Sequence, residues 1–344
     1  MSSQIGCDVV AIDCYADVDT RQVANQVFKV ASLACPDIRA AVLEVRQSYV
    51  IDGIVYGSGL ESYPETIEYL QAEWPLFGNS AEVFRKVQDK SYFFQLLAQL
   101  RIAHPATSFA ASSPGDGWIF KPWCGEGGIG ITHNKASAGV EGYWQRYIHG
   151  QAMSVLFLSS ATDVDVIGFN RQWCATQISE KNFLFGGIAS HAELAAETRC
   201  LITEAVRKLS AAYRLCGLNT LDFMLDANGF YVLEINPRIS ASAQLYGSEL
   251  LLLHMAVFEA AEISALNISG QPSAYQIVYA TKDCEIGAGL DWPDWVVDRP
   301  VAGSIFGVGQ PICSIIATGK NSRQVAEQLE HRQAILQTLL ESGC

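Results

Sequence analysis

The sequence has few positive charges and no long apolar run. Lys and Arg total 23 against 36 Asp and Glu, which gives a net charge of −13 over 344 residues. Nucleic acids and anionic membranes attract proteins with excess cations, so this balance argues against general binding to either. No stretch approaches the roughly 18 uninterrupted apolar residues of a membrane span, and the first residues lack a basic leader segment. We therefore expect a cytoplasmic protein without nucleic-acid or membrane partners.

Regular metal-binding spacings of cysteine and histidine are also missing. The ten cysteines contain no C-x-x-C pair, and the six histidines contain no H-x3-H pair. We therefore expect most cysteines to be reduced, buried small side chains, and the histidine spacing argues against metal-hydrolase chemistry. Hydrophobic residues make up 49% of the chain and charged residues 17%, a composition typical of globular proteins. The length predicts two or three domains.

Two strand-to-helix units begin the chain. The apolar run CDVVAIDC (7–14) precedes a helix-like segment, ANQVFKVASLA (24–34). The run IDGIVYGSGLE (51–61) precedes a second helix-like segment, PETIEYLQAEW (64–74). This repetition predicts a small parallel α/β domain that ends near residue 82. A polar break near Gly270 separates a further segment, 271–344.

The most informative stretch is LDFMLDANGFYVLEINPRIS, residues 221–240. A hairpin that turns at 227–229 places Asp222 opposite Glu234, with Asn236 two residues further on the same face. The opposite, buried face would carry four apolar side chains: Phe223, Leu225, Leu233 and Ile235. Side-chain oxygens are the ligands that Mg²⁺ prefers, and Arg238 would complete a site for transferred phosphate.

A plain edge hairpin with a solvated acidic face is the alternative for this stretch. Glu-Ile-Asn-Pro-Arg is unusual for a surface strand. Pro237 lacks the backbone N–H that would hydrogen-bond to a neighbouring strand, and charged residues flank it. That sequence favours the metal site.

A glycine-rich loop follows a predicted strand at 118–123. Lys121 lies at the end of that strand, and GEGGIG (125–130) offers backbone N–H groups that phosphate oxygens can approach closely. No G-K-[S/T] follows, so the loop is not a P-loop. A flexible β-hairpin turn is the alternative. Glu126 would bring negative charge to a phosphate, and we expect it to point outward.

A third stretch, QRYIHGQAMSVLF (145–157), contains an apolar strand edge at Tyr147 and Ile148. Such an edge can offer backbone N–H and C=O groups to an adenine ring. An ordinary core strand fits the local sequence as well.

In this order, and with Lys90 upstream, the three stretches resemble the ATP-grasp superfamily over roughly residues 80–265. The most specific part is the D-x11-E-x-N-P-R signature that begins at Asp222. The resemblance implies ATP and Mg²⁺ as cofactors, with Lys90 and Lys121 on the phosphates under a loop that includes Gly125, Gly127 and Gly128. It implies an adenine-binding hinge formed by Gln145, Tyr147 and Ile148, with Met224 under the base. It also implies that Mg²⁺ is held by Asp222, Glu234 and Asn236. The catalytic cations would be Arg238 and Lys121.

Two positions depart from the family pattern. Met153 stands where an acidic residue often binds the ribose, and Arg146 replaces a common glutamate. The resemblance is closest to the branch of predicted ATP-dependent carboligases, through VYGSGLES (55–62), LFGN (76–79) and PRISASA (237–243). That branch is related to ligases of methanofuran and methanopterin coenzyme assembly.

The resemblance implies a mixed α/β (α+β) protein with the ATP-grasp fold and four parts. These are a Rossmann-like N-terminal domain (1–82), a small lobe with the glycine loop (83–146), a large lobe with the metal site (147–268) and a small C-terminal α+β appendage (269–344).

The activity it implies is an ADP-forming ligation of a small-molecule acid to an amine through an acyl-phosphate. Candidate substrate-binding residues flank the two predicted lobes: Gly57, Ser58, Gly59, Glu61, Ser240 and Ser242. Tight-turn and helix-cap roles explain the same residues equally well. We expect a homodimer, the commonest assembly of soluble enzymes.

Three other functions are alternatives for this sequence. A dinucleotide-binding oxidoreductase built on Gly57 and Gly59 fails, because the third glycine of G-x-G-x-x-G would be Ser62. A non-catalytic ATP-binding protein and a bicarbonate-using carboxylase both stay open. The carboxylase is weakened by the absence of a recognisable biotin-carrier segment.

Overall fold

The computed structural model describes residues 6–136, 139–175, 178, 183–259 and 270–343. Its N-terminal part alternates short strands and helices: β1 (Val10–Asp13), α1 (Val18–Val23), β2 (Gln26–Lys29), α2 (Cys35–Ser48), β3 (Ile54–Val55), α3 (Pro64–Glu73) and β4 (Leu76–Phe77). The pairs β1–β2 and β3–β4 are both parallel. The predicted α/β character of this part is therefore confirmed.

The helix expected over 24–34 is wrong, because β2 occupies part of that segment. Val27 and Phe28 pair with Ala11 and Ile12 of β1. Helix α2 follows instead. Pro36 lies in its first turn, where a missing N–H costs nothing, and it buries Ile38 and other residues at helical spacing, Ala41, Val42 and Val45.

A small antiparallel sheet comes next, after two helices. Its elements are α4 (Ala81–Gln88), α5 (Lys90–Gln99), β5 (Thr107–Ser108), β6 (Trp118–Pro122), β7 (Thr132–His133) and β8 (Gly142–Arg146). The strand order is β5-β8-β6-β7. The Asp89 side chain accepts a hydrogen bond from the Tyr92 N–H at 2.9 Å and so caps α5. This cap fixes Lys90 as the first residue of that helix.

An eight-stranded sheet forms the larger part of the protein. Its first elements are β9 (Gln151–Ser159), β10 (Val164–Cys174), β11 (Phe185–Ala189), α6 (Ala196–Tyr213), β12 (Gly217–Asp226), β13 (Gly229–Asn236) and α7 (Glu249–Phe258). Alternate residues of β9 face opposite ways. Val155 and Phe157 join the core under α5 and α6, whereas Leu156 and Leu158 join the core under α7.

The C-terminal segment extends this same sheet. Its elements are β14 (Ser273–Tyr279), β15 (Cys284–Glu285), β16 (Val296–Val297), β17 (Ile305–Phe306), β18 (Pro311–Thr318) and α8 (Ser322–Gly343). The full strand order is β13-β12-β9-β10-β11-β14-β18-β16. The expected appendage (269–344) is thus continuous with the large sheet rather than a separate unit. The other domain boundaries stay predictions. None of the helices in the described ranges combines the length and hydropathy needed to cross a bilayer.

Buried Asn79 joins the N-terminal part to the large sheet. Its Nδ2 donates to the Cys216 carbonyl at 3.1 Å, the Asn219 Oδ1 at 2.8 Å and the Pro237 carbonyl at 3.0 Å. Its Oδ1 accepts from the Cys216 N–H at 2.9 Å. The side chain is 3% exposed, so water cannot replace these bonds. One amide therefore sets the position of the segment that leads into Arg238.

We expect Asn79→Ala to lower the free energy of unfolding by about 3 kcal/mol, because it leaves several buried polar groups without partners. Asn79→Asp keeps an acceptor for the Cys216 N–H but loses every donated bond, so it should also destabilise the protein. Urea denaturation measures both variants. A loss under about 0.5 kcal/mol for Asn79→Ala would contradict this role.

Candidate active site

A cleft of about 860 Å³ lies where the small sheet, the large sheet and the N-terminal part meet. The small sheet contributes Lys121 and the glycine loop, and the large sheet contributes Asp222 and Glu234. The N-terminal part contributes Ser58 and Glu61, and strand β14 contributes three further residues, Tyr275, Ile277 and Tyr279. All four parts of the chain therefore meet around one cavity.

The register of the β12–β13 hairpin brings the two predicted acids together. Asp222 pairs with Glu234, as the sequence predicted, and Thr220 pairs with Asn236. Asn236 Nδ2 donates to Asp222 Oδ2 at 2.8 Å. The predicted convergence of these three side chains is confirmed.

A β-bulge immediately after Asp222 changes which apolar residues face the core. Beyond the bulge Phe223 pairs with Val232, so Leu233 is the extra residue. Val232 is fully buried in the core, whereas Leu233 lines the cleft. The expectation that Leu233 lies on the buried face is therefore wrong, because it assumed an uninterrupted ladder.

Asp222 lies in an environment that opposes its negative charge. Burial first, and then the charge of Glu234, raise the pKa of Asp222 to about 7. Gln172 of β10 donates to Asp222 Oδ1 at 3.1 Å and partly offsets both effects. Sequence reasoning missed Gln172, since no pattern connects β10 with the signature hairpin.

Three cations flank the other acid, Glu234. Lys90 Nζ lies 3.8 Å from Glu234 Oε2, and the Lys90 side chain is only 11% exposed. Burial works against the charge of Glu234, yet Lys121, Lys90 and Arg238 together outweigh it and hold the pKa of Glu234 below its ordinary value. Positive and negative groups are therefore concentrated at one end of the cleft.

The side chains of Asp222, Glu234 and Asn236 could hold Mg²⁺ together with the phosphates of a nucleotide. No group of three His, Cys, Asp or Glu residues that could hold a metal occurs in the described ranges. The hairpin offers two carboxylates and an amide, and Mg²⁺ is commonly held by one or two carboxylates together with substrate phosphates. A divalent cation would also relieve the repulsion between Asp222 and Glu234 that raises the Asp222 pKa.

The glycine loop rests on the large sheet. The Phe185 N–H donates to the Gly127 carbonyl at 2.8 Å. Gly128 has a φ of +78°, and a Cβ there would overlap the Phe183 carbonyl. Gly125, Gly127 and Gly128 all line the cleft, as the sequence predicted. Glycine is required because the loop passes this close to another backbone segment.

Glu126 does not point away from the cleft. Its carboxyl lies within hydrogen-bonding reach of Glu61, and burial followed by the Glu61 charge raises the pKa of Glu126. The outward orientation expected from the sequence is therefore wrong. The Glu61 carboxylate also accepts from Arg238 Nε and, at 2.7 Å, from the Gly59 N–H.

The predicted hinge lies along one edge of the cleft, where Gln145, Tyr147, Ile148 and Met224 are all lining residues. Gln145 is 1% exposed, and its Nε2 has no partner among the residues that the structure describes. The Tyr147 N–H is already bonded to the Gly117 carbonyl at 2.9 Å. A buried amide without a partner is costly unless a ligand satisfies it.

Met153 and Arg146, the two residues that depart from the family pattern, lie in different environments. Met153 packs in the core at 3% exposure, and its neighbour Ala152 lines the cleft instead. Met153 therefore does not face the cleft, whereas Ala152 does. Arg146 lines the cleft and donates to the Asp116 carbonyl at 2.9 Å.

The predicted substrate residues divide into two groups. Ser58, Glu61, Ser240 and Ser242 line the cleft, whereas Gly57 and Gly59 do not appear among its described lining residues. Ser240 Oγ lies 2.6 Å from Thr220 Oγ1 and 2.8 Å from Ser242 Oγ, so these hydroxyls form a chain.

Several lining residues were missed by sequence reasoning. Strand β14 presents three of them at every second position, Tyr275, Ile277 and Tyr279. The alternating pattern of AYQIVYA indicates a strand that places Tyr275, Ile277 and Tyr279 on one face. The pattern does not indicate that this face lines the cleft.

Comparisons with known proteins agree with this geometry. Residues 87–242 match the family described as the ATP-grasp domain. A curated relative, an uncharacterised protein of Methanocaldococcus jannaschii, is 24% identical over 177 residues, which are 50% of this chain and 41% of that protein. The aligned part thus spans less than half of that relative.

Solved structures share the fold over almost the whole chain. A biotin carboxylase–β-γ-ATP complex from Campylobacter jejuni matches with a TM-score of 0.72 at 17% identity, covering 94% of this chain and 85% of that one. The biotin carboxylase domain of Hydrogenobacter thermophilus 2-oxoglutarate carboxylase, in complex with MgADP, ADP and bicarbonate, matches with a TM-score of 0.73 at 13% identity, covering 95% and 84%. Rhizobium etli pyruvate carboxylase matches with a TM-score of 0.75 at 15% identity, covering 96% of this chain and 35% of that one. The chain therefore has the ATP-grasp fold, and its residues 87–242 match the ATP-grasp domain family.

Proposed function

We propose that this protein is an ATP-dependent, ADP-forming ligase that joins a carboxylate to an amine through an acyl-phosphate. An ATP-grasp domain supports ATP-dependent ligase-type chemistry in general. The observation that carries the proposal is the Asp222–Glu234 pair with Lys90, Lys121 and Arg238 around it. Such an arrangement suits a transferred phosphoryl group and its metal ion.

Nucleotide binding is assigned to the small-lobe side of the cleft. Lys90 and Lys121 would bind the phosphates beneath the glycine loop, whose N–H groups add donors. The adenine would lie between Met224 and the hinge, where the Gln145 amide gains the partner it lacks. Because Gly117 already occupies the Tyr147 N–H, the Ile148 N–H is the hinge donor proposed for the base.

The metal would be held by Asp222, Glu234 and Asn236. When bound, Mg²⁺ supplies positive charge that neutralises the phosphate oxygens. Gln172 holds the Asp222 carboxylate in place, and Arg238 hydrogen-bonds to the Asn236 Oδ1 at 3.4 Å. These contacts fix the orientation of the ligands before any nucleotide arrives.

The reaction needs no protein nucleophile. A carboxylate oxygen of the acid attacks the γ-phosphorus, the bond to the β-phosphate oxygen breaks, and ADP leaves. The amine nitrogen then attacks the acyl carbon, loses a proton, and inorganic phosphate leaves with the bonding electrons. Arg238 and Lys121 lie where they would stabilise the negative charge in both steps.

The charge at the N-terminal end of the cleft favours an amine acceptor. Glu61 and Glu126 lie side by side there, with Arg238 beside Glu61. Carboxyl oxygens can accept hydrogen bonds from an ammonium group, which their negative charge attracts. Tyr15 and Tyr279 add aromatic surface at the same end.

A bicarbonate-using carboxylase is the second candidate. It is supported by the shared fold with a biotin carboxylase, which covers 94% of this chain. The negative charge of bicarbonate does not separate the two candidates, because the acid of the proposed ligase is also an anion. The Glu61–Glu126 pair favours the ligase only through its amine substrate.

A role in methanofuran- or methanopterin-type coenzyme biosynthesis is a narrower proposal. It rests on the sequence resemblance of VYGSGLES and PRISASA, and the residues themselves do not specify the acid or the amine. A homodimeric, cytoplasmic enzyme with small-molecule substrates completes the proposal.

The metal assignment predicts that Glu234→Ala combined with Asn236→Ala abolishes Mg²⁺-dependent ATP turnover and leaves the fold intact. The variant loses two of the three proposed ligands and keeps the core face of β13. ADP release measures turnover, and circular dichroism checks the fold. Glu204→Ala, on the exposed face of α6, is the control. Unchanged ADP production by the double variant would show that the metal assignment is wrong.

The phosphate assignment predicts that Lys121→Ala weakens MgADP binding by about tenfold or more, since a charge-assisted contact contributes about 1.5–3 kcal/mol. Isothermal titration calorimetry measures the affinity, and Lys320→Ala, at an exposed position, is the matched control. Equal affinity in Lys121→Ala and the wild type would remove Lys121 from the nucleotide site.

The reaction class is tested by an ADP-release screen over pairs of acids and amines, including glutamate with aromatic amines and pterin-like acids. We expect ADP release to require both an acid and an amine, and an amide product of matching mass. Release that depends on bicarbonate alone, with no effect of any amine, would favour the carboxylase instead.

A further inference from the structure

Tyr143 lines the cleft but has no role in the function proposed so far. It lies on β8 directly opposite Lys121 of β6, and Gln145 follows two residues later on the same face. Directly paired residues of an antiparallel sheet share a face. Tyr143 is therefore a side-chain neighbour of a proposed phosphate ligand and of the proposed adenine hinge.

The Tyr143 hydroxyl is buried without a hydrogen-bond partner. The residue is 1% exposed, and its Oη makes no hydrogen bond within the part of the chain that the structure describes. A buried hydroxyl without a partner destabilises a protein, because water satisfies that group in the unfolded chain. Such a group in a native structure requires an explanation.

Packing alone does not explain the hydroxyl. The ring of Tyr143 lies 5.6 Å from that of Trp123, 5.8 Å from that of Phe94 and 6.0 Å from that of Phe109. A phenylalanine would make these ring contacts equally well and would bury no unsatisfied oxygen. The hydroxyl is the part of the side chain that the core does not use.

The charges around the hydroxyl indicate what could satisfy it. Lys90 and Glu234 are the charged groups that act on it most strongly, and burial raises its pKa, so it stays protonated and can donate. Lys90 and Lys121 are themselves donors without acceptor capacity. The missing partner is an acceptor that both lysines would also bind, which is the chemistry of a phosphate oxygen.

We propose that the Tyr143 hydroxyl donates a hydrogen bond to a phosphate oxygen of the bound nucleotide, beside the contacts made by Lys90 and Lys121. This inference rests on the proposed binding of ATP in the cleft. It adds a third phosphate-binding side chain, one that joins the nucleotide to the Trp123 ring at the base of the glycine loop.

Tyr143→Phe tests the proposal by removing one oxygen atom. Tyr213 provides a matched control, because it is 3% exposed, its hydroxyl also lacks a partner among the described residues, and it does not line the cleft. Calorimetry with MgADP and with adenosine separates phosphate contacts from base contacts. Thermal unfolding without nucleotide reports any purely structural role.

We expect Tyr143→Phe to weaken MgADP binding by about tenfold while adenosine binding changes less than twofold. Tyr213→Phe should leave both affinities unchanged, and neither variant should lower the unfolding temperature of the nucleotide-free protein. Equal MgADP affinity in Tyr143→Phe and the wild type would overturn this inference and leave the proposed function standing. An equal loss for adenosine, or a lower unfolding temperature, would assign Tyr143 a structural role instead. Absence of any nucleotide binding to the wild type would overturn the proposed function as well.

Discussion

The site depends on two carboxylates, Asp222 and Glu234, held opposite each other although their charges repel. Burial first, and then the charge of Glu234, raise the pKa of Asp222 to about 7. Three cations, Lys90, Lys121 and Arg238, offset this repulsion because they favour the charged form of Glu234. They come from three different parts of the chain. A protein that maintains such a balance in an open cleft is prepared for a ligand that brings both positive and negative charge, as a magnesium nucleotide does.

The N-terminal part contributes to this balance without carrying the signature residues. Asn79 fixes the backbone at Pro237, and Glu61 holds the guanidinium of Arg238. His254 adds a second connection, because its Nδ1 accepts from the Leu218 N–H and its Nε2 bonds to the Phe77 carbonyl. The position of Arg238 is therefore set jointly by the hairpin and by an N-terminal segment more than 150 residues away in sequence.

Local pattern was sufficient to predict the center of the site. The pairing of Asp222 with Glu234 follows from strand alternation and a turn at Asn228, both of which involve only near neighbours. The bulge at Leu233 could not be predicted, because it places Val232 in a core built from residues that are distant in sequence. The helix expected over 24–34 failed for a similar reason, since pairing with β1 prevailed over a weak helical pattern. Contacts such as those of Gln172 with Asp222, or of Glu126 with Glu61, join segments that are distant in sequence. They can therefore be identified only once the fold is known.

In the proposed site, the hairpin carboxylates hold a divalent cation together with the nucleotide phosphates. Mn²⁺ replaces Mg²⁺ in oxygen-ligand sites and can be followed by electron paramagnetic resonance. We expect one equivalent of Mn²⁺ per chain to bind tightly in the presence of ADP, to bind much more weakly without ADP, and to be displaced by Mg²⁺. Saturation of the protein with ADP without any bound Mn²⁺, or Mn²⁺ binding that does not depend on ADP, would show that the carboxylates do not hold the metal of a nucleotide complex.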